Sequence, residues 1–176
     1  MTGARAPAHA YRIEPLAAHH DRTHFECGQP SLDSYLHERA RKEMANHTAA
    51  VFVALPSSEP HVIAGYYTLS NMTADASALP VASARKLPRY PMLPATLLGR
   101  LAVTKQHQGR GLGEHLLIDA LGRSLATTAS VGSVAVVVDP INDRARAFYE
   151  KYQFTALADQ PGRLFLPMGT IELGMA

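Results

Sequence analysis

The sequence predicts a mixed α/β (α+β) fold, in which a single twisted mixed sheet is flanked by helices. Two early runs rich in β-branched and aromatic residues indicate antiparallel strands. Further along, an apolar run, a glycine-rich turn and an amphipathic stretch follow one another in residues 96–125, and residues 133–138 are mostly valine. These two stretches predict a parallel strand-helix-strand unit at the centre of the sheet.

The first half of the chain predicts one helix and a strand meander. We expect a loose end at residues 1–9 and a first strand at residues 11–16. Ser31 or Asp33 can cap the following helix, whose apolar face carries Leu32, Tyr35, Leu36, Ala40 and Met44. Residues 49–55 and 61–69 are predicted to be antiparallel strands joined by a short turn. Residues 71–94 contain four prolines and are predicted to be a long connection with room for a short helix.

The glycine-rich turn at residues 109–113 lies between the central strand and its helix. Glycines let the backbone approach a ligand closely, and a new helix presents unpaired N–H groups, so an anion is expected here. Arg110 adds a permanent charge and Gln108 a side-chain amide, which suits a pyrophosphate. The spacing excludes a P-loop, because Glu114 and His115 follow the last glycine, and it also excludes the GxGxxG dinucleotide motif.

The last third predicts a helix and two closing strands. Asn142 or Asp143 can cap the helix, on which Ala145, Phe148, Tyr149 and Tyr152 share a face. Residues 154–157 and 163–168 are predicted to be strands around a Gln-Pro-Gly turn.

Length and composition limit the class of protein. With 176 residues, 47% of them hydrophobic, we expect one domain covering residues 1–176. No run of 18 apolar residues and no N-terminal apolar region of a signal peptide is present, which predicts a cytoplasmic protein without a membrane span. Cys27 is the single cysteine, so an internal disulfide is excluded. The nine histidines show no metal-binding spacing, and we expect surface histidines and no metal.

The order of elements resembles that of the GNAT superfamily of N-acetyltransferases. Two motifs carry the resemblance: Gln-x-x-Gly-x-Gly, which begins at Gln108, and Asn-x-x-Ala-x-x-Phe-Tyr, which begins at Asn142. The resemblance covers nearly the whole chain and implies the GNAT fold with acetyl-CoA as cofactor.

The resemblance also implies roles for individual residues. The pantetheine arm would pair with the backbone of Leu101, Ala102 and Val103, and a strand N–H at or near Val103 would hold the thioester oxygen. The pyrophosphate would be cradled by Gln108, Gly109, Arg110, Gly111, Leu112 and Gly113. Asn142 and Phe148 would line the other side of the cofactor. Tyr149 would protonate the departing thiolate, whereas Tyr152 is expected to pack.

Three segments, FECGQPSLDSYLHERA, LGRLAVTKQHQGRGLG and ARAFYEKYQF, are similar to the toxin branch of this superfamily. Such toxins acetylate the α-amino group of aminoacyl-tRNA and are encoded beside a small DNA-binding antitoxin, so both partners are expected, together with a homodimer. A tRNA would be met by basic residues, namely Arg39, Arg41, Lys42, Arg85, Lys86 and Arg89. Gln153 stands where the family usually has glycine, and we expect it to alter a turn only.

Three alternatives remain open from the sequence. The chain could be a general GNAT enzyme that acetylates a small amine or a protein amino group. It could instead be an acetyl-CoA-binding module without turnover. A third chemistry would use His115 and Asp119 as an HxxxD pair, although the apolar pattern of their helix already explains both positions. The acceptor amino acid, the oligomeric state, the antitoxin and the use of a general base are not determined by the sequence.

Overall fold

The computed structural model describes residues 10–175, so the expected loose end at residues 1–9 lies outside the described residues. The strands are β1 (Tyr11–Pro15), β2 (Ala50–Pro56), β3 (Gly65–Asp75), β4 (Met92–Val103), β5 (Ala135–Val138), β6 (Thr155–Leu157) and β7 (Gln160–Pro167). The α-helices are α1 (Pro30–Ser34), α2 (Ala40–Ala45), α3 (Val81–Ala84), α4 (Leu112–Thr127), α5 (Asp143–Lys151) and α6 (Met168–Met175). A π-helical segment, Tyr35–Arg39, joins α1 to α2, and 3₁₀ turns cover Ala76–Ala78 and Lys105–His107.

The strands described within residues 10–175 form one seven-stranded sheet in the order β1-β2-β3-β4-β5-β7-β6. Strands β1, β2 and β3 are antiparallel neighbours. β4 and β5 run parallel, with Leu97 opposite Val137, and β7 is antiparallel to both β5 and β6. The predicted mixed sheet, with antiparallel N-terminal strands and a parallel central unit, is confirmed.

The chain divides into two compact units, of which the first comprises Met1–Ser70 and Gly99–Ala120. Its described core is built from the helical segment 30–45 packed on the face of β2 and β3, where Tyr35, Leu36, Val53 and Tyr66 are almost completely buried. This unit contains the end of β4 and the start of α4. It therefore holds the predicted phosphate loop.

The second unit comprises Asn71–Leu98 and Leu121–Ala176. Its described core includes Leu93 and Ala95 of β4, Val137 of β5 and Phe165 of β7. Helix α5 belongs to this unit. It therefore holds the predicted acid, Tyr149.

Several predicted boundaries were wrong for local reasons. The helix begins at Pro30, since proline suits a first helical position, and Asp33 accepts the Cys27 N–H at 2.8 Å instead of capping. β3 continues to Asp75, so the predicted connection is shorter than expected. Pro161 lies within β7, next to an irregularity in the pairing of β6, which is a site where strands tolerate proline.

Helix α6 was missed, because its eight residues include two glycines and lack a clear apolar period. Gln153 adopts φ +72°, a left-handed conformation that glycine adopts readily. Its side chain therefore changes the turn after α5, as expected. No helix within residues 10–175 is both long and apolar enough to cross a membrane.

Candidate active site

The phosphate loop has the backbone that its glycines predict. Gly109 and Gly111 have φ values of +76° and +83°, a region that residues with a Cβ rarely adopt. Helix α4 begins directly afterwards at Leu112. Its first-turn N–H groups are the kind that bind anions, and the side chain of Arg110 is exposed beside them. The charge of Arg110, after burial, is a cause of the lowered pKa of His107, which places this cation close to the loop.

Gln108 uses its side chain differently from the prediction. Its amide nitrogen donates two hydrogen bonds of 2.9 Å, one to the carbonyl of Val103 and one to the carbonyl of Cys27. Both N–H donors of the amide are thereby engaged by the protein. We conclude that Gln108 fixes the loop against the end of β4, and that main-chain groups and Arg110 remain to meet an anion.

A second contact positions the same loop from the opposite side. Gly65 on β3 lies so close to α4 that an added Cβ would be 2.8 Å from a methyl of Leu116 and 3.0 Å from the Ala102 carbonyl. Only glycine permits this approach. On the same helix, Asp119 accepts the hydroxyl of buried Tyr67 at 2.5 Å. These contacts hold the first turns of α4 against the sheet.

The hydrogen bond to Tyr67 also bears on the HxxxD alternative. Asp119 spends a carboxylate oxygen on a tyrosine of β3, and His115 contributes its main-chain N–H to the helix through the Gly111 carbonyl. Both residues therefore have roles that explain their positions within the helix. The HxxxD chemistry gains no support.

The end of β4 contains the residues predicted to pair with the pantetheine arm. Residues 96–98 are paired with β5, and β4 continues beyond this pairing through residues 99–103. Leu101 and Val103 are half-buried and Ala102 is buried. Main-chain groups that extend past a neighbouring strand are suited to bind an extended ligand arm. The roles of these three residues stay predictions.

Tyr149 lies on α5 in the second unit, with its ring in an aromatic cluster. The ring centroids of Phe148 and Phe154 are 5.2 and 5.4 Å away, and Tyr149 is 7% exposed. Burial raises the pKa of its hydroxyl, so the group stays protonated over the physiological range.

The Tyr149 hydroxyl has no hydrogen-bond partner among residues 10–175. In the same part of the chain, no enclosed side-chain oxygen or nitrogen lacks a partner, so this oxygen is not sealed from solvent. A buried ring with an open, protonated hydroxyl is the arrangement that a general acid needs. Its catalytic role nevertheless stays a prediction.

The neighbouring predicted residues divide into two kinds. Asn142 caps α5, since its side-chain oxygen accepts the Ala145 N–H at 2.8 Å, which confirms the predicted cap. Phe148 is half-buried and packs edge-on against both Tyr149 and Tyr152. Tyr152 therefore packs as expected. The cofactor contacts predicted for Asn142 and Phe148 stay predictions.

The two basic groups predicted to meet tRNA are exposed. The first, on the π-helical segment and α2, consists of Arg39, Arg41 and Lys42. The second, at and after the end of α3, consists of Arg85, Lys86 and Arg89. Sequence reasoning missed a further cation, Arg100, whose guanidinium carbon lies 3.6 Å from the ring centroid of buried Tyr35. Its place in the middle of an apolar strand was the available signal.

The expectation of surface histidines was wrong for His20, which is 4% exposed. His20, His19 and Glu14 bring three potential metal-ligand atoms within 4.8 Å of one another. However, His20 Nδ1 accepts the Ala17 N–H at 2.9 Å, so its proton is on Nε2, which donates to Glu14 at 2.8 Å. A metal would have to displace that proton, and the cluster is better explained as a hydrogen-bonded turn.

Cys27 is half-buried, and its environment is that of an unreactive thiol. Burial, followed by the hydrogen bond with Asp33, raises the pKa of the thiol to about 11. A thiolate is the nucleophilic form. Cys27 is therefore a structural residue at neutral pH, in agreement with its turn-like sequence context.

Comparison with known proteins gives a consistent relationship. Residues 91–161 match the family described as FR47-like protein. A tRNA-acetylating toxin of Mycobacterium tuberculosis is 38% identical over 148 residues, which is 84% of this chain and 86% of that protein. The described sheet and loop thus occur in a chain that resembles a characterised toxin along most of its length.

Solved structures give the same result. AtaT complexed with acetyl-methionyl-tRNAfMet has a TM-score of 0.87 at 28% identity, covering 94% of this chain and 99% of AtaT. AtaTR bound with acetyl-CoA has a TM-score of 0.83 at 28% identity, covering 95% and 99%. AtaT bound to the C-terminus of the antitoxin AtaR has a TM-score of 0.80 at 25% identity, also covering 95% and 99%.

Proposed function

The chain belongs to the GNAT N-acetyltransferases, in the family of tRNA-acetylating toxins, and we propose that it transfers the acetyl group of acetyl-CoA to the α-amino group of an aminoacyl-tRNA. The product cannot enter peptide synthesis at its amino end, so translation is blocked. The observation that carries the proposal is the 38% identity to a tRNA-acetylating toxin over most of both chains.

The phosphate loop supports acetyl-CoA as the acetyl donor. Gly109 and Gly111 turn the main chain with positive φ, and α4 starts at Leu112 with unpaired N–H groups. The pyrophosphate would be held by those N–H groups and by Arg110. Gln108 would act indirectly, by holding the loop in place. The backbone of residues 101–103 would pair with the pantetheine arm.

Acetyl-CoA supplies an acetyl group activated as a thioester. Negative charge develops on its oxygen when an amine attacks, and the main-chain N–H of Val103 would stabilise that charge. The C–S bond then breaks as the C–N bond forms, and Tyr149 would donate its O–H to the departing sulfur. Asn142 and Phe148 would line the cofactor beside it.

The raised pKa of Tyr149 restricts how the proton moves. An unperturbed thiol has a pKa of about 8.5, so a complete transfer from the less acidic tyrosine would be uphill as an isolated step. We propose that the proton released by the attacking nitrogen replaces the one that Tyr149 gives to sulfur. Tyr149 then returns to its starting state without a separate reprotonation.

The acceptor amine does not need a strong base. An α-amino group has a pKa of about 7.7 to 8.0, so an appreciable fraction is neutral at pH 7. Water can therefore take its proton when no relay forms. An α-amino acceptor fits this condition better than a lysine side chain.

The substrate class is tested by incubating the protein with labelled acetyl-CoA and four acceptors: a pool of charged tRNA, uncharged tRNA, free amines and peptides. The proposal predicts N-acetyl-aminoacyl products after hydrolysis of the charged pool and little label elsewhere. Preferential acetylation of free amines or peptides would support a general GNAT enzyme. No transfer with intact acetyl-CoA binding would support a non-catalytic module.

We further propose that residues 1–176 act as one acetyltransferase domain in the cytoplasm, as a homodimer that is inhibited by a small DNA-binding antitoxin. Sedimentation analysis tests the dimer, and co-purification with the product of a neighbouring reading frame tests the antitoxin. Six basic residues are proposed to meet tRNA phosphates: Arg39, Arg41, Lys42, Arg85, Lys86 and Arg89. Neutral substitutions there should weaken tRNA acetylation and leave acetyl-CoA affinity unchanged.

A further inference from the structure

Two guanidinium groups gather on one buried tyrosine in the first unit. The guanidinium carbon of Arg100 on β4 lies 3.6 Å from the ring centroid of Tyr35, and that of Arg39 lies 5.4 Å from it. Tyr35 is completely buried, Arg100 is half-buried and Arg39 is exposed. The ring therefore anchors a pair of cations at the protein surface through cation–π contacts.

Neither arginine has a counter-ion in the described part of the chain. Arg39 and Arg100 make no hydrogen bond and no ion pair with residues 10–175. The nearby carboxylate of Glu43 accepts the Tyr35 hydroxyl at 2.8 Å. Two like charges held near the same ring repel each other, and an anion bound by both would relieve this repulsion.

The local backbone contributes to the arrangement. Tyr35 and Arg39 are the first and last residues of the π-helical segment, and the Ala40 N–H bonds to the Tyr35 carbonyl at the wider spacing of that segment. π-Helical turns are uncommon inside helices and occur frequently at functional sites. Here the turn places an aromatic ring and a cation on the same face of the helix.

We propose that Arg39 and Arg100, held on Tyr35, bind a phosphate group near the 3′ end of the acceptor RNA. This rests on the function proposed above. The planar donor fork of arginine matches phosphate oxygens. Arg100 precedes Val103 by three residues on β4, a separation of about 10 Å along a strand. The aminoacyl group and terminal ribose can span such a distance between the acetylated amine and a phosphate.

The test uses Arg39→Gln, Arg100→Gln and Arg100→Lys, with Arg144→Gln as the matched control, since Arg144 is an exposed arginine on α5. Binding of a fluorescent single-stranded RNA ending in CCA is measured by anisotropy over a range of salt concentrations. Each glutamine variant should weaken binding roughly tenfold and lower the slope of log affinity against log salt by about 0.7. Arg100→Lys should keep the slope but lose affinity, because it keeps the charge without the fork.

A second readout separates this inference from the proposed function. In acetylation assays, the glutamine variants should raise the KM for charged tRNA roughly tenfold and leave the acetyl-CoA Kd unchanged. If the unchanged protein fails to acetylate charged tRNA, the proposed function falls, whereas the RNA-binding measurement still decides the phosphate site. RNA binding and salt slope unaltered by Arg39→Gln and Arg100→Lys would overturn the site. If Arg100→Gln does not fold, exposed Arg39→Gln decides the outcome.

Discussion

The side chain of Gln108 donates a hydrogen bond of 2.9 Å to the carbonyl oxygen of Val103, the last residue of β4. The second N–H of the same amide meets the Cys27 carbonyl. One side chain thus joins the phosphate loop, the strand end and the segment before α1. The relationship explains why a loop of exposed residues can keep one conformation.

Replacing Gln108 with Met should loosen this loop. Methionine has a similar length but no donor, so two carbonyls lose their partner, at a cost of about 1 kcal/mol each at most. We expect the Kd for acetyl-CoA, measured by calorimetry, to rise about fivefold. Gln108→Arg should recover part of the affinity because its N–H groups can reach the same carbonyls. Equal affinity in wild type and Gln108→Met would show that the contact is dispensable.

Gly109→Ala should destabilise the protein and weaken acetyl-CoA binding. An added Cβ at this position meets nothing within 4 Å, so the whole effect arises from φ +76°; a left-handed residue costs about 1 kcal/mol. The matched control is Gly122→Ala within α4, which also meets nothing. It should stabilise the protein by about 0.5 to 1 kcal/mol. Urea unfolding compares the two, and a stabilising Gly109→Ala would contradict the loop conformation.

Gly65→Ala should be the more damaging glycine substitution. The new Cβ would lie 2.8 Å from Leu116 and 3.0 Å from the Ala102 carbonyl, and overpacking of this kind costs about 1 to 3 kcal/mol. Thermal unfolding should show a lower Tm. Adding Leu116→Ala removes only the side-chain clash, so the double variant should regain part of what was lost relative to Leu116→Ala alone. A single variant with an unchanged Tm would mean that α4 is less closely packed.

Cys27 should react slowly with thiol reagents at neutral pH. Its pKa of about 11 leaves about one thousandth of the thiol ionised at pH 8. The rate of alkylation should therefore increase about tenfold per pH unit between pH 8 and pH 10, since deprotonation is incomplete over that range. A plateau near pH 8.5 would indicate an ordinary thiol. Cys27→Ser should keep its acetylation activity.

The sequence predicted the elements whose signals are local. The period change across residues 109–113 located the phosphate loop, the valine run located β5, and Asn142 was correctly predicted to cap α5. Each of these depends on neighbouring residues alone. The GNAT family and its fold followed from the same two motifs.

The features that sequence reasoning missed depend on residues far apart in the chain. Gln108 was assigned to the anion because its partner Cys27 is 81 positions away. His20 was predicted at the surface because its burial depends on Glu14 and on the fold of the turn. Arg100 could not be connected with Tyr35, which lies 65 positions earlier on another element. Such pairings exist only once the strands and helices have packed.

The central claim is that Tyr149 acts as the acid in acetyl transfer to charged tRNA. The most direct measurement compares single-turnover acetylation of charged tRNA by wild type, Tyr149→Phe and the packing control Tyr152→Phe, with acetyl-CoA saturating and its Kd determined by calorimetry. We predict that Tyr149→Phe loses about 10² to 10⁴ in rate with unchanged acetyl-CoA affinity, and that Tyr152→Phe stays near wild type. A Tyr149→Phe variant that acetylates charged tRNA at the wild-type rate would contradict the account.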